Sequence, residues 1–448
     1  MSDMDTQAII IAKFGGTSVS AAENIHTIGQ IVEKEKKEQH AIVVVVSALS
    51  GITDLLLGSA GLSAQIRHRH QDLVWKLWQN KQKREQIMGF IDKQLENANR
   101  LLSKKEKDKK LLDQIVSYGE IMSSYIVSNW LSECGMSSQQ IIASEIIVTD
   151  SNFGSAEFLL NQTEKKAQKI ISPLLKKGIV PVVTGFIGAN EKGEITTLGR
   201  GGSDYSASIL GLCLKASEVQ IWTDVNGIFT ADPRLVPSAR PIKRVSYQEA
   251  SEMAFFGAKV LHPRTIRPAV KAGIPVLVLN TFNPRHKGTL ITNKTEKSGR
   301  VTALSFKKKV TLVTILAAEM FLAKGFLTRI FTLFTKQGIS VDLVSASEVS
   351  ISLTVDTNDL RNIIAAIGVF AKVTVIYDAA MVSLIGDGIG NTPHVLRDMF
   401  TILDKEEIEI KMISFGATNS NISCIISEKD FTKAVMRLHN DLLLRRIK

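Results

Sequence analysis

The chain has 448 residues, 44% hydrophobic and 22% charged, the balance of a soluble globular protein of two or three domains. No apolar run approaches the roughly 20 residues of a membrane span, and MSDMDTQ at the start lacks the basic end and apolar core of a secretory leader. The net charge of +11 is partly concentrated between Arg67 and Lys110, where charges alternate with Leu, Ile and Trp; this reads as solvated helix rather than a nucleic-acid surface, and it suits anionic small substrates.

Residues 8–12 (AIIIA) and 41–46 (AIVVVV) are short β-branched runs, expected as strands buried on both faces of a parallel sheet. The polar stretch 21–39 between them reads as a crossover helix, and 50–135 as mainly helical. GIVPVVTGF (178–186), SEVQIWTDV (217–225) and GIPVLVLN (273–280) each follow a further helical or small-residue segment. Repeated βα units predict an α/β sandwich. Residues 280–300, rich in Asn, Pro, Gly, Thr and Lys, read as an irregular connector. The cysteines Cys134, Cys213 and Cys424 are isolated and are expected as small buried residues in a reducing cytoplasm.

After residue 300 the pattern changes. A strand (310–315), a helix (325–338), two strands (339–347 and 348–356), a helix (358–368) and a strand (371–377) make one β-α-β-β-α-β set. A strand (379–386), a helix through Leu403, strands 407–414 and 421–427 and a helix 428–443 begin a second set that lacks its last strand. An unpaired apolar edge is unfavourable. The orphan run RVTALSF (300–306) is therefore expected to complete the second set, with the first inserted into it.

Three stretches carry chemistry. In KFGGTSV, Gly15, Gly16, Thr17 and Ser18 follow a strand, where backbone N–H groups can approach an anion closely. Lys13 stands before the glycines, unlike a P-loop, and can reach transferring phosphate oxygens. A tight turn would use the same glycine pair. In TTLGRGGSDYSAS, Arg200 can pair bidentately with a carboxylate and Asp204 can bind an ammonium, while an ordinary turn capped by Ser203 or Asp204 is the plainer alternative. In WTDVNGIFTADPR, at the end of a strand, Thr223 and Asp224 can address adenine–ribose and Arg234 a phosphate. Glu120 (VSYGE) is a surface carboxylate or a second ammonium ligand. In FGAKVLHP, Lys259 can bind phosphate, whereas His262 before Pro263 reads as a cap or packing residue. No HExxH, nucleophile elbow or Cys/His metal cluster is present.

Taken together, KFGGTSV, TTLGRGGSD, WTDVNGIFTADPR and FGAKVLHP resemble, in order, the aspartate kinases of the amino-acid-kinase superfamily, closest to the monofunctional, lysine-sensitive type. The resemblance covers essentially the whole chain. It implies a three-layer αβα sandwich with a mainly parallel sheet over 1–298, followed by two ferredoxin-like βαββαβ ACT domains. The first ACT domain (308–378) would be inserted within the second (299–307 and 379–448). It also implies transfer of a phosphoryl group from ATP, with Mg²⁺, to the side-chain carboxylate of L-aspartate, at the entry to lysine, threonine, methionine and diaminopimelate synthesis.

By motif position, Lys13 would stabilise the phosphoryl group in flight, with Asp204 beside it, and Gly15, Gly16, Thr17 and Ser18 would cradle phosphates. Arg200 would clamp the α-carboxylate, Asp204 and Glu120 would face the ammonium, and Ser203 and Thr53 would add hydrogen bonds. Thr223, Asp224, Phe229, Arg234 and Lys259 would line the ATP site; position 229 is usually Tyr in such relatives, so a hydroxyl contact is lost. Mg²⁺ would be held by phosphates and water, with no protein ligand. Met320, Ala323, Phe326, Leu327, Asp342, Ser347 and Glu348 match positions that bind lysine between two ACT subunits; Ala323 replaces the usual serine. Homodimerisation through the ACT domains, able to extend to a tetramer, and a cytoplasmic location complete what the resemblance implies, with no nucleic-acid or membrane partner. Two readings compete with it: a glutamate or acetylglutamate kinase on the same fold, and an amino-acid-sensing protein with a silent kinase domain.

Overall fold

The β-branched runs of the N-terminal part lie side by side, because each is apolar on both faces and needs cover on both. The computed structural model describes residues 7–58, 63–104, 106, 108–256, 262–293, 298–317, 325–357 and 359–444. The chain divides into two compact units, Met1–Ile228 with Val260–Asn293, and Phe229–Lys259 with Lys294–Lys448.

In the first unit seven strands order as Ser138–Ile141, Val180–Thr184, Ala41–Val46, Ile9–Phe14, Glu218–Thr223, Val276–Asn280 and Thr289–Thr292. All neighbouring pairs are parallel except the last. Ile11, Ala12 and Val43 to Val46 are wholly buried. One face packs on the helices Ala22–Lys37, Ile52–Leu57, Ser63–Leu77, Lys81–Leu102 and Lys109–Glu133. The other is covered by Leu160–Lys176 and Gly202–Leu214, with Pro263–Ala272 packed against the latter. Strand Ile9–Phe14 has Ala41–Val46 on one side and Glu218–Thr223 on the other, so the order reverses there. The loops beyond the carboxyl ends of these strands are where an open α/β sheet binds ligands.

Two features of this unit differ from expectation. The connector contains a strand, Thr289–Thr292, antiparallel to Val276–Val278; its alternating burial is the signal that its polar composition conceals. Cys134 is exposed because it caps the end of helix Lys109–Glu133, while Cys213 and Cys424 are buried.

The second unit holds a six-stranded antiparallel sheet ordered Val341–Ala346, Ser350–Val355, Ala303–Leu316, Lys372–Ile385, Asn421–Ser427, Ile410–Phe415. Residues 303–307 pair with 385–381, and 312–316 with 376–372. The runs read as four strands, 300–306, 310–315, 371–377 and 379–386, are thus two continuous strands. A bulge between Lys307 and Val310, with Lys309 at φ 56°, absorbs the polar interruption without ending the strand. Helices Phe326–Lys336 and Arg361–Gly368 cover one half of the sheet, and Pro393–Lys405 and Phe431–His439 the other.

Residues 229–256, contiguous in sequence with the first unit, pack with the second. Ala231 and Val236 share a core with Leu304, Val382 and Phe431. Helix Tyr247–Phe255 starts in a capping box of Ser246 and Glu249. The buried Glu249 carboxylate also accepts Thr302 Oγ1 at 2.7 Å and Asp387 N at 3.1 Å.

Candidate active site

Strand Ile9–Phe14 presents Lys13 one residue before its end, between Val45 and Ile221, and leaves it only 9% exposed. A buried ammonium needs a partner. Asp204, in the first turn of helix Gly202–Leu214, supplies one: its Oδ1 lies 2.5 Å from Lys13 Nζ, a close ion pair rather than an aligned hydrogen bond.

Around this pair opens a cavity of about 550 Å³, lined by Lys13, the 47–51 loop with Thr53, Glu120, Phe186 and residues 199–204. It therefore gathers Lys13, Thr53, Glu120, Arg200, Ser203 and Asp204 from four distant stretches. Arg200 stands between Gly199 and Gly201, both left-handed (φ 78° and 69°). That backbone holds the arginine out into solvent, and it has no hydrogen-bond or ion partner among the described residues. Gly201 rather than Ser203 or Asp204 occupies the N-cap, so both side chains are left to the cavity. Gly185 is required by packing, since a Cβ there would fall 2.6 Å from the Ser203 side chain.

Glu120 is 3% exposed. Its Oε1 accepts Ala48 N at 3.1 Å, and Oε2, buried at the cavity wall, has no partner. Burial pushes its carboxyl up to about 8, against the smaller opposing effect of the Ala48 N–H. Seven residues earlier, on the same face of the helix, the buried Asp113 accepts Thr197 N (2.8 Å), Thr197 Oγ1 (2.7 Å) and Gly154 N (2.8 Å). It ties the hairpin Ile187–Asn190/Ile195–Thr197, which leads into the Arg200 loop, to the helix carrying Glu120. Sequence reasoning missed Asp113, Phe186 and the 47–51 loop; only the small-residue run SALSG directly after a strand signals any of them.

The glycine loop divides in two. Gly15 N donates to Trp222 O at 3.2 Å, and Ser18 is buried with its Oγ 2.8 Å from Thr281 Oγ1. The N–H groups of Gly16 and Thr17 keep no partner among the described residues. A Cβ on Gly16 would meet Ala48 O at 2.9 Å, so only glycine lets this loop touch the 47–51 loop.

Thr223 ends a strand of the first unit and the exposed Asp224 follows it, with Thr223 Oγ1 donating to Asp224 Oδ1 at 3.1 Å. Phe229, half-buried, and Arg234, exposed and paired with Asp232, belong to the second. Lys259 lies outside the described residues. His262 caps helix Pro263–Ala272, its Nδ1 accepting Arg264 N at 3.3 Å. Burial, then the charges of Arg200 and Arg264, lower its pKa.

The cavity's two carboxylates do not make an octahedral cage for a hard cation: Asp204 is paired with Lys13, and Glu120 offers one oxygen. A three-ligand group elsewhere, Glu35, Glu38 and His40, sits near the amino ends of the strands, where Glu35 is already held by His40 Nδ1 (2.7 Å) and Gln220 Nε2 (3.0 Å).

In the second unit Phe326 is core, edge-to-face with Phe370, while Leu327 is exposed. Ser347 and Glu348 are exposed in a turn closed by Ser347 N to Ser350 O at 2.8 Å. Asp342 is paired with Lys307 at 2.8 Å, and Lys307 also pairs with Asp356. Burial raises the Asp342 carboxyl; Lys307 works against that. Met320 and Ala323 lie outside the described residues.

The family model of the amino acid kinase family matches residues 8–280, and that of the ACT domain matches 313–368 and 382–442. The chain is 36% identical to lysine-sensitive aspartokinase 3 of Escherichia coli (strain K12), over 97% of this chain and 99% of that protein. It is 34% identical to the chloroplastic aspartokinase 2 of Arabidopsis thaliana, over 96% of this chain and 83% of that one. Crystal structures of E. coli aspartokinase III in complex with lysine and aspartate (T-state) and with aspartate and ADP (R-state) each superpose with a TM-score of 0.81 at 35% identity, over 97% of this chain and 99% of theirs.

Proposed function

The chain belongs to the amino acid kinase family and, within it, to the aspartokinases, and from that premise we propose how its own residues phosphorylate aspartate. The reaction is transfer of the terminal phosphoryl group of ATP to the side-chain carboxylate of L-aspartate. The observation that carries the residue assignment is one cavity holding two cations and two carboxylates, one of which, Glu120, has an unpartnered buried oxygen. That charge pattern complements an amino acid with a second carboxylate.

Arg200 takes the α-carboxylate, for which its free fork is suited. Glu120 Oε2 and Asp204 face the ammonium, with Ser203 and Thr53 completing the hydrogen bonds. The nucleophile is a carboxylate with an ordinary pKa near 4, already ionised at neutral pH, so no general base is needed. The barrier is repulsion between two anions. Lys13, fixed at the strand end by Asp204, lowers it by meeting the charge on the transferring group. Gly16 and Thr17 offer their N–H groups to phosphate, while Gly15 contributes by lacking a side chain. By its place after the strand Glu218–Thr223, the Thr223–Asp224 pair addresses the nucleotide, and Phe229, Arg234 and Lys259 are assigned to it by their match to the family motif alone. Mg²⁺ accompanies ATP and neutralises phosphate charge, and the donor set here leaves its ligands to phosphate oxygens and water.

The test is acyl-phosphate trapping by hydroxylamine, with ADP release measured in parallel. L-Aspartate gives hydroxamate and stoichiometric ADP, and L-glutamate gives neither. A glutamate-dependent product, or none with aspartate, would sink this reading.

The same residues that match a lysine site support feedback control by L-lysine, with a homodimer formed through the edge strand Val341–Ala346 and the exposed apolar residues Leu327, Val344 and Val349. Asp342 and Glu348 face the two amino groups of the effector. Lys307 already occupies Asp342, so the effector's ammonium competes with it. Lys307→Ala is expected to lower the lysine concentration for half-inhibition by about tenfold, the scale of one charged hydrogen bond. A Lys307→Ala enzyme with unchanged or weaker lysine inhibition would count against competition at Asp342.

A further inference from the structure

The loop from Phe229 to Pro241 closes at its neck. Thr230 N donates to Arg240 O at 2.9 Å, Arg240 N donates to Thr230 Oγ1 at 3.0 Å, and Phe229 bridges to Pro241. Arg234 stands away from the neck, exposed, on Asp232. The neck is held by residues far away in sequence. Thr230 O accepts Leu304 N at 2.7 Å, and Ala231 and Val236 are core residues of the C-terminal half of the six-stranded sheet. His439, fully buried at the end of helix Phe431–His439, places Nε2 2.9 Å from Thr230 Oγ1 and Nδ1 3.4 Å from Ser238 Oγ. Asn440 Oδ1 accepts Ser238 Oγ at 3.2 Å. Burial and the nearby Arg240 charge favour the neutral ring, which can donate from one nitrogen and accept at the other.

We propose that His439 is a positioning residue for nucleotide use: by holding Thr230 and Ser238 it sets the loop that carries Phe229 and Arg234. This rests on the reading that the loop contacts ATP. It gives helix Phe431–His439, far in sequence from any substrate motif, a part in nucleotide use.

Full-length His439→Ala, His439→Gln, Thr230→Val and Arg234→Ala are compared in kcat, in KM for ATP and for aspartate, and in Tm. His439→Ala and Thr230→Val each raise the ATP KM about tenfold, the scale of one buried hydrogen bond, and leave the aspartate KM unchanged. His439→Gln, whose amide offers a donor and an acceptor, recovers most of the loss. A double variant carrying His439→Ala and Thr230→Val adds little to either single one, as expected of two ends of one contact. Should His439→Ala fail to fold, Thr230→Val carries the comparison alone. If Arg234→Ala leaves the ATP KM unchanged, the loop is no nucleotide contact, and the assignment beneath the proposal falls with it. If Arg234→Ala raises the ATP KM while His439→Ala and Thr230→Val only lower Tm, the clasp is merely structural and the proposal is overturned.

Discussion

Replacing Lys13 by Met or Ala lowers kcat by about 10²–10³-fold and changes the aspartate KM little, the pattern expected when a group acts on the transition state rather than on bound substrate. Lys13 is placed for that pattern. It lies one residue before the end of a buried strand, 2.5 Å from Asp204, and shares its cavity with Arg200 and Glu120, assigned above to the substrate's other charges. The substitution also leaves Asp204 without its cation, so Tm is recorded alongside kinetics. Lys13→Arg, which restores charge but not the shape of a compact ammonium, is expected to recover stability more fully than rate. A Lys13→Met enzyme altered only in aspartate KM would move the lysine from the phosphoryl group to the substrate.

Glu120 supplies the second large effect, and its sign can be worked out. Burial raises its carboxyl to about 8, so below that pH the unliganded protein holds it protonated. An ammonium ligand needs the carboxylate. Aspartate binding is therefore coupled to proton release, and aspartate KM is expected to fall as pH rises from about 6.5 to 8 and to level off above. Glu120→Gln removes the charge at every pH. It should raise aspartate KM by about 10–100-fold, the scale of a hydrogen bond to a charged group, and flatten the pH profile across that window. Stability moves the other way. A folded pKa raised above the unfolded one means that stability is full below the unfolded value near 4.5 and is lost as pH climbs towards 8. The unliganded Glu120→Gln protein should accordingly melt higher than the parent at pH 8.5, and the gap should close by pH 5. Thermal melts at the two pH values, with calorimetry in buffers of different ionisation heat, check both halves.

Much of this was legible in the sequence, for identifiable reasons. Strands buried on both faces have no polar alternation to blur them, so AIIIA and AIVVVV read cleanly. The Arg200 loop declared itself because glycines on both sides of an arginine cost backbone entropy unless a special turn needs them, and the structure puts both in the left-handed region. Other features are invisible locally. Asp113 is a lone acid on an amphipathic helix, and nothing nearby in sequence distinguishes it from a solvated one. The polar residues at 307–309 and Asp378 looked like strand ends, because a bulge and a strand end share the same residue types. Lys307 on Asp342, and His439 on Thr230, join positions 35 and 209 residues apart through one contact each.

The two long strands, Ala303–Leu316 and Lys372–Ile385, have a consequence for how such a chain can be altered. Each supplies an inner strand to both regulatory halves, so no single cut separates one half from the other with its sheet intact. Recombination or domain exchange at the apparent repeat boundary would leave two incomplete sheets. A change of effector must then come through point substitutions within this block, or by transplanting it whole together with the loop around Ala231 and Val236 that its core has claimed.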